Sequence, residues 1–324
     1  MALDRDVARP TLLVLRALGL GDLLTAVPAL RALRRSHPGH RLVLAGPAGL
    51  APLVRLTGAV DEVLPAEGLA APPVLRLPGP PPELAVNLHG RGPRSTWSLA
   101  ALHPRRLWAF AGPGGGRGPG GGPGPGPGAG TGPAWPQDVH EVDRWCRLLE
   151  FHGVPTDPAD LHLDPPGVAS PAPGAVVVHP GAASGARRWP VDRYAAVAAA
   201  LRADGHRVVV TAGPGERELA GAVGGEVLAP DLPGLAALVA GAGLVLCGDT
   251  GVAHLATAYR TPSVLLFGPT PPAAWGPRQG PHTVLWAGGT GDPHGAHPDP
   301  ALLALTTDDV LDAARRRIRA AVAP

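Results

Sequence analysis

Four short segments bring together residue types that chemistry needs. Gly19-Leu20-Gly21-Asp22 follows an apolar run and sets a carboxylate at the start of a helical pattern. It opens like the G-x-G-x-x-G dinucleotide fingerprint, but Leu24 stands at the third glycine position, so a nicotinamide-dependent oxidoreductase is the weakest reading. Asp22 then has two readings: an acid complementing the positive helix end, or a general base for an acceptor hydroxyl. The second segment, His179-Pro180-Gly181-Ala182-Ala183-Ser184-Gly185-Ala186-Arg187-Arg188-Trp189-Pro190, is a run of small residues ending in two arginines. Small residues let a backbone approach a ligand closely, and guanidinium forks match phosphate oxygens. Arg187 and Arg188 therefore suggest a diphosphate clamp, with a solvated Arg pair beside a packed Trp as the alternative.

The third segment is Cys247-Gly248-Asp249-Thr250-Gly251-Val252-Ala253-His254. Thr250 and Gly251 open a helix whose unpaired amides favour an anion, and His254 lies one turn on, on the same side. A plain capped helix with a packed histidine is the alternative. The fourth is Phe267-Gly268-Pro269-Thr270-Pro271, where Thr270 can donate to a phosphate. His294-Gly295-Ala296-His297 with Asp299 contains metal-ligand types, but its Gly and Pro make it read as an irregular loop.

These segments sit at the ends of strand-like runs. Thr11–Arg16, Arg41–Ala45, Val60–Leu64, Leu84–Leu88 and Arg106–Phe110 alternate with helical patterns at Leu23–Arg35 and Ala48–Thr57, with Pro28 kinking the first of these or marking its first full turn. After a Pro-rich stretch at 155–173, strands are expected at 175–179, 207–212, 226–229, 244–247 and 263–267, again separated by helices. A closing helix is expected to be capped by Thr307. The alternation predicts two α/β domains, residues 1–165 and 166–324, each a doubly wound parallel sheet whose ligands bind at the carboxyl ends of the strands, in a central cleft. Residues 112–133, almost entirely Gly and Pro, read as a loop inserted in the first domain.

Composition narrows the classes. Glycine and proline number 46 and 42 of 324 residues, and all 28 basic residues are arginine. Without lysine there is no Walker A phosphate loop, no Schiff-base lysine and no pyridoxal-phosphate site. A net charge of +2 gives little support to nucleic-acid binding. Cys146 and Cys247 form no C-x-x-C pair, no G-x-S-x-G element occurs, and the charged Met1–Asp6 start is unlike a signal peptide. No apolar stretch reads as a membrane span. These features predict a cytoplasmic protein.

Taken in order, the Gly21-Asp22 turn with Pro28-Ala29-Leu30, the His179-Pro180-Gly181 and Arg187-Arg188-Trp189-Pro190 loop, Gly248-Asp249-Thr250-Gly251 with His254, and Phe267-Gly268-Pro269-Thr270 resemble glycosyltransferase family 9, the heptosyltransferase-like enzymes of bacterial surface polysaccharide synthesis. The resemblance implies a GT-B fold: an N-terminal acceptor domain, a C-terminal nucleotide-sugar domain, and a last helix returning toward the first. It also implies inverting, metal-independent transfer from a nucleotide-diphosphate sugar to a cell-envelope glycan or glycolipid. No cofactor is expected, and a peripheral contact with the inner membrane face is compatible with such an acceptor. On this reading Asp22 is the base, while Arg187, Arg188, Asp249, Thr250, Gly251, His254 and Thr270 hold the donor. Glu216 takes the ribose hydroxyls. The chain departs from the family where Arg187 replaces a frequent lysine, where Ala182 and Ala183 replace small hydroxyl residues, and where no cysteine lies near His294. A nucleotide-sugar epimerase and a non-catalytic sugar-nucleotide-binding protein stay open as alternatives.

Overall fold

The computed structural model describes residues 9–68, 73–111 and 132–322; residues 112–131 of the Gly/Pro tract lie outside these. The chain divides into two compact units, Met1–Gln137 with Val142–Asp160, and Asp138–Glu141 with Leu161–Pro324. The final crossing, Asp160–Leu161, falls inside the Pro-rich 155–173 stretch.

In the first unit, β1 (Thr11–Leu15), β2 (Arg41–Gly46), β3 (Glu62–Pro65), β4 (Leu84–Asn87) and β5 (Arg106–Trp108) form a parallel sheet in the order β3-β2-β1-β4-β5. Every residue of β1 and β4 is buried, as an apolar run covered on both faces requires. The strand order reverses between β1 and β4. In an open α/β sheet the crevice at that point, outside the carboxyl ends of the strands, receives the ligand. The loop with Asp22 leaves β1 there, and the loop with His89 leaves β4.

The second unit repeats the plan with β6 (Val176–His179), β7 (Val208–Thr211), β8 (Glu226–Leu228), β9 (Leu244–Gly248), β10 (Ser263–Phe267) and β11 (His282–Trp286), ordered β11-β10-β9-β6-β7-β8 and all parallel. Its reversal lies between β6 and β9, whose carboxyl ends carry the Gly181–Arg187 and Asp249–Gly251 segments.

The strands read from the sequence all form, and three local expectations are refined. Pro28 divides the Leu23–Arg35 pattern into helices Leu20–Thr25 and Val27–Ser36 and sits in the first turn of the second, where its missing N–H costs nothing. The last helix, Thr307–Val322, is capped by Thr306 rather than Thr307. The Thr306 Oγ1 accepts from the Asp309 N–H at 3.1 Å, and the Asp309 carboxylate accepts from the Thr306 N–H at 3.1 Å, a reciprocal box. That helix buries Val310, Ala313 and Ala314 in the core of the second unit, with Val178, Trp189 and Leu266. β11 has no counterpart among the strand-like runs of the sequence; it is an edge strand, and its residues are only partly covered. No described helix is long and apolar enough to cross a membrane.

Candidate functional site

In the second unit, the loop after β6 is built from residues small enough to let other chains in. Glu216, which precedes the helix Arg217–Val223 after β7, lays its carboxylate directly on Gly181. A Cβ there would stand 2.2 Å from Oε1 and 2.3 Å from Oε2. The Gly213 N–H donates to Glu216 Oε2 at 2.9 Å, which fixes the carboxylate at the carboxyl ends of β6 and β7. Beside it His179 is buried, its Nδ1 3.0 Å from Thr211 Oγ1. Burial lowers the pKa of His179, while Glu216 and Thr211 oppose that shift.

Farther along the loop, Arg187 turns toward the start of the next segment. Its Nη1 lies 3.9 Å from Asp249 Oδ2 and donates to the Asp249 carbonyl at 3.5 Å, and its Nε donates to Ser184 Oγ at 3.5 Å. Asp249 is only 5% exposed. Burial pushes its pKa up to about 6 against the pull of Arg187 and a hydrogen bond with Thr270. Arg187, Asp249 and Thr270, from three separate strand-end loops, thus form one cluster. The helix Gly251–Ala258 begins right after it, with Thr250 as its extended N-cap and a Thr250 side chain that makes no capping bond. The amides at this helix start are available to an anion beside a guanidinium.

His254 is one turn into that helix, its ring edge-on to Trp275 at 5.9 Å. Burial, then the charges of His140 and Arg187, lower its pKa to about 4, so it is neutral at pH 7. His140 itself, from the 138–141 segment, donates through Nε2 to the Gly276 carbonyl at 2.9 Å. Arg188 is placed differently from the clamp expectation. Its Nε and Nη2 both donate to the Ala182 carbonyl, at 3.0 and 2.8 Å, so two arms of its fork brace the loop from within.

In the first unit, Asp22 lies in the first turn of the helix Leu20–Thr25. Arg16, the residue after β1, is buried and holds it: Nη2 is 3.1 Å from Asp22 Oδ1, and Nε donates to the Asp22 carbonyl at 2.9 Å. The same guanidinium donates to the Leu88 carbonyl at 2.5 Å and lies 4.6 Å from the centre of the Trp145 ring. At the neighbouring strand end the Ala17 N–H donates to His89 Nδ1 at 3.2 Å. Arg16 and His89 escaped the sequence reading. The available signal was Arg16 itself, a single charge directly after the four apolar positions Leu12–Leu15 of a buried strand. Among the described residues no three His, Cys, Asp or Glu side chains group as metal ligands, His294, His297 and Asp299 included.

Comparison with known proteins matches the model of glycosyltransferase family 9 (heptosyltransferase) to residues 134–298, half of the chain. Among curated proteins, the chain is 34% identical over 127 residues to lipopolysaccharide heptosyltransferase 3 of Escherichia coli. That match spans only about a third of either protein, 35% of this chain and 36% of the relative. Among solved structures, a glycosyl transferase family 9 protein from Veillonella parvula DSM 2008 superposes with a TM-score of 0.75 at 20% identity, covering 99% of both chains. The E. coli ADP-heptose LPS heptosyltransferase II gives 0.73 at 20% identity, over 97% of this chain and all of that one. The chain therefore has the two parallel-sheet α/β domains of those GT-B structures.

Proposed function

The chain belongs to glycosyltransferase family 9, the heptosyltransferase family, and from that premise we propose that it transfers a heptose or related sugar from a nucleotide-diphosphate donor to a cell-envelope glycan or glycolipid, with inversion. The observation that carries this reading is the meeting of Arg187, Asp249 and Thr270 at the strand-order reversal of the second sheet, beside an open helix start. The Arg187 guanidinium, oriented by Asp249, and the amides of that helix start suit the diphosphate of a donor. Glu216, one strand over, is placed to accept from the ribose hydroxyls. The relatives' names support a donor of the ADP-heptose kind and a lipopolysaccharide acceptor.

In the proposed reaction, Asp22 takes the proton of the acceptor hydroxyl as its oxygen attacks the anomeric carbon from the face opposite the leaving group. The bond from that carbon to the diphosphate oxygen breaks, and the nucleoside diphosphate leaves with the electron pair. Charge grows on the leaving group in the transition state, so Arg187 and the amides at Thr250 and Gly251 lower the barrier selectively. No step in this scheme uses a metal; turnover that survives thorough chelation would agree with it. A cytoplasmic protein meeting its acceptor at the inner membrane face fits the same scheme.

Asp22→Asn tests the assignment. The expected result is loss of most turnover with donor affinity nearly unchanged; equal loss of both would reduce Asp22 to a structural role. Product analysis with donor alone separates this activity from epimerisation. Donor binding without transfer to any acceptor pool would favour a non-catalytic binding protein.

A further inference from the structure

We propose that residues 291–299, between β11 and the helix Pro300–Leu303, are a brace that fixes Arg187 for the donor, and that Ser184 is the positioning residue through which the brace acts. The proposal rests on the donor reading of Arg187 given above. The segment is the same Gly- and Pro-rich stretch whose histidines first suggest metal ligands. In the structure it is tied to the Arg187 loop by its backbone. The Ala186 N–H donates to the Gly295 carbonyl at 2.9 Å, and the Asp299 N–H donates to the Ala186 carbonyl at 3.2 Å. Gly185 leaves no space between the two: a Cβ there would lie 1.8 Å from the Ala296 carbonyl oxygen. The Gly291 N–H donates to the Pro269 carbonyl at 3.0 Å, so the brace also holds the Thr270 loop.

Ser184 joins this brace to the guanidinium. Its hydroxyl has one proton, which goes to the Pro293 carbonyl at 2.6 Å. That orientation turns the Ser184 oxygen lone pairs to the Arg187 Nε at 3.5 Å. Arg187 is then held at both ends of its plane, by Ser184 on Nε and by Asp249 on Nη1. The loop between Gly181 and Ala186 has no long side chain of its own to order it. A guanidinium on such a loop would lose rotamer freedom on binding an anion, and prior fixation removes that cost.

A double-mutant cycle read by calorimetry with ADP tests this. Ser184→Ala is expected to weaken ADP binding about 5- to 10-fold, the effect of one modest hydrogen bond, and Ser184→Thr, which keeps the hydroxyl, is expected to restore it. In an Arg187→Met background Ser184→Ala is expected to change nothing, because its effect runs through Arg187. Ser184→Ala binding like the parent, or the same loss in both backgrounds, would overturn the positioning role. Should Arg187→Met leave ADP affinity intact, the donor reading itself fails, an outcome distinct from failure of the brace.

Discussion

Arg187→Met should let Asp249 become protonated near neutral pH. Asp249 is nearly covered, and burial has already moved its pKa up to about 6. The Arg187 guanidinium, 3.9 Å away, opposes that shift. At an effective dielectric of about 20, a unit pair at this distance interacts by about 4 kcal/mol. Arg187 keeps 22% of its side chain in solvent, so roughly half of that is a fair figure after screening. About 2 kcal/mol is a factor of about 30 in the protonation equilibrium, which carries the Asp249 midpoint upward from about 6 to beyond neutrality in the variant. The folded value exceeds the unfolded one, so this carboxyl contributes stability at low pH that is lost as pH rises. The losing window runs from about 4 to 6 in the parent and extends past 7 in Arg187→Met. The assay is a carbon-13 titration of aspartate carboxyls, with Asp249→Asn identifying the resonance. A companion measurement is the affinity for a nucleotide-diphosphate sugar, whose diphosphate does not titrate in this range. Loss of the guanidinium should cost about 10-fold or more, and more at pH 8.5 than at pH 6.5, where the neutral acid no longer repels the anion. An Asp249 midpoint at or below 6 in Arg187→Met would refute the reasoning.

Three further outcomes follow from the geometry. Gly181→Ala should displace the Glu216 carboxylate, which would lie 2.2 Å from the new methyl group. Donor affinity should fall at least 10-fold while the melting temperature moves little, and unchanged affinity would remove Glu216 from the ribose site. Arg16→Leu removes the buried cation that the Leu88 carbonyl and the Asp22 carboxylate face; because Asp22 is partly exposed, the loss should be no more than the lower end of about 3–5 kcal/mol, read from urea unfolding of the protein. His254 takes its proton near 6.5 when unfolded but only near 4 when folded. Stability should therefore fall as pH drops through that interval, by up to about 3 kcal/mol, and His254→Gln should flatten the acid limb of a melting-temperature profile.

Much of the fold was legible because its signals are local. Val176–Val178 and Leu244–Cys247 are apolar runs that only a sheet covered on both faces can bury, and their alternation with helices announces parallel strands. β11 lacked that signal: an edge strand with a half-exposed surface need not be continuously apolar. Thr306 and Thr307 are adjacent hydroxyls, and which one caps depends on where the chain turns, a choice made by packing of Val310 and Ala313.

The sequence by itself determined the residue types at the strand ends: the carboxylate of Asp22, the guanidinium of Arg187, and the small residues around them. Tertiary structure alone decided what each of these groups faces. Arg187 and Arg188 are neighbours with the same chemistry, yet one reaches Asp249, 62 positions away, and the other is occupied by Ala182 within its own loop. Residues 291–299 have no periodicity of their own and gain a role only because the fold brings them against Gly185. The reason is physical. Propensity and hydrophobic period act over a few residues, whereas the partner of a buried charge is set by sheet order and loop closure, which join positions far apart in the chain.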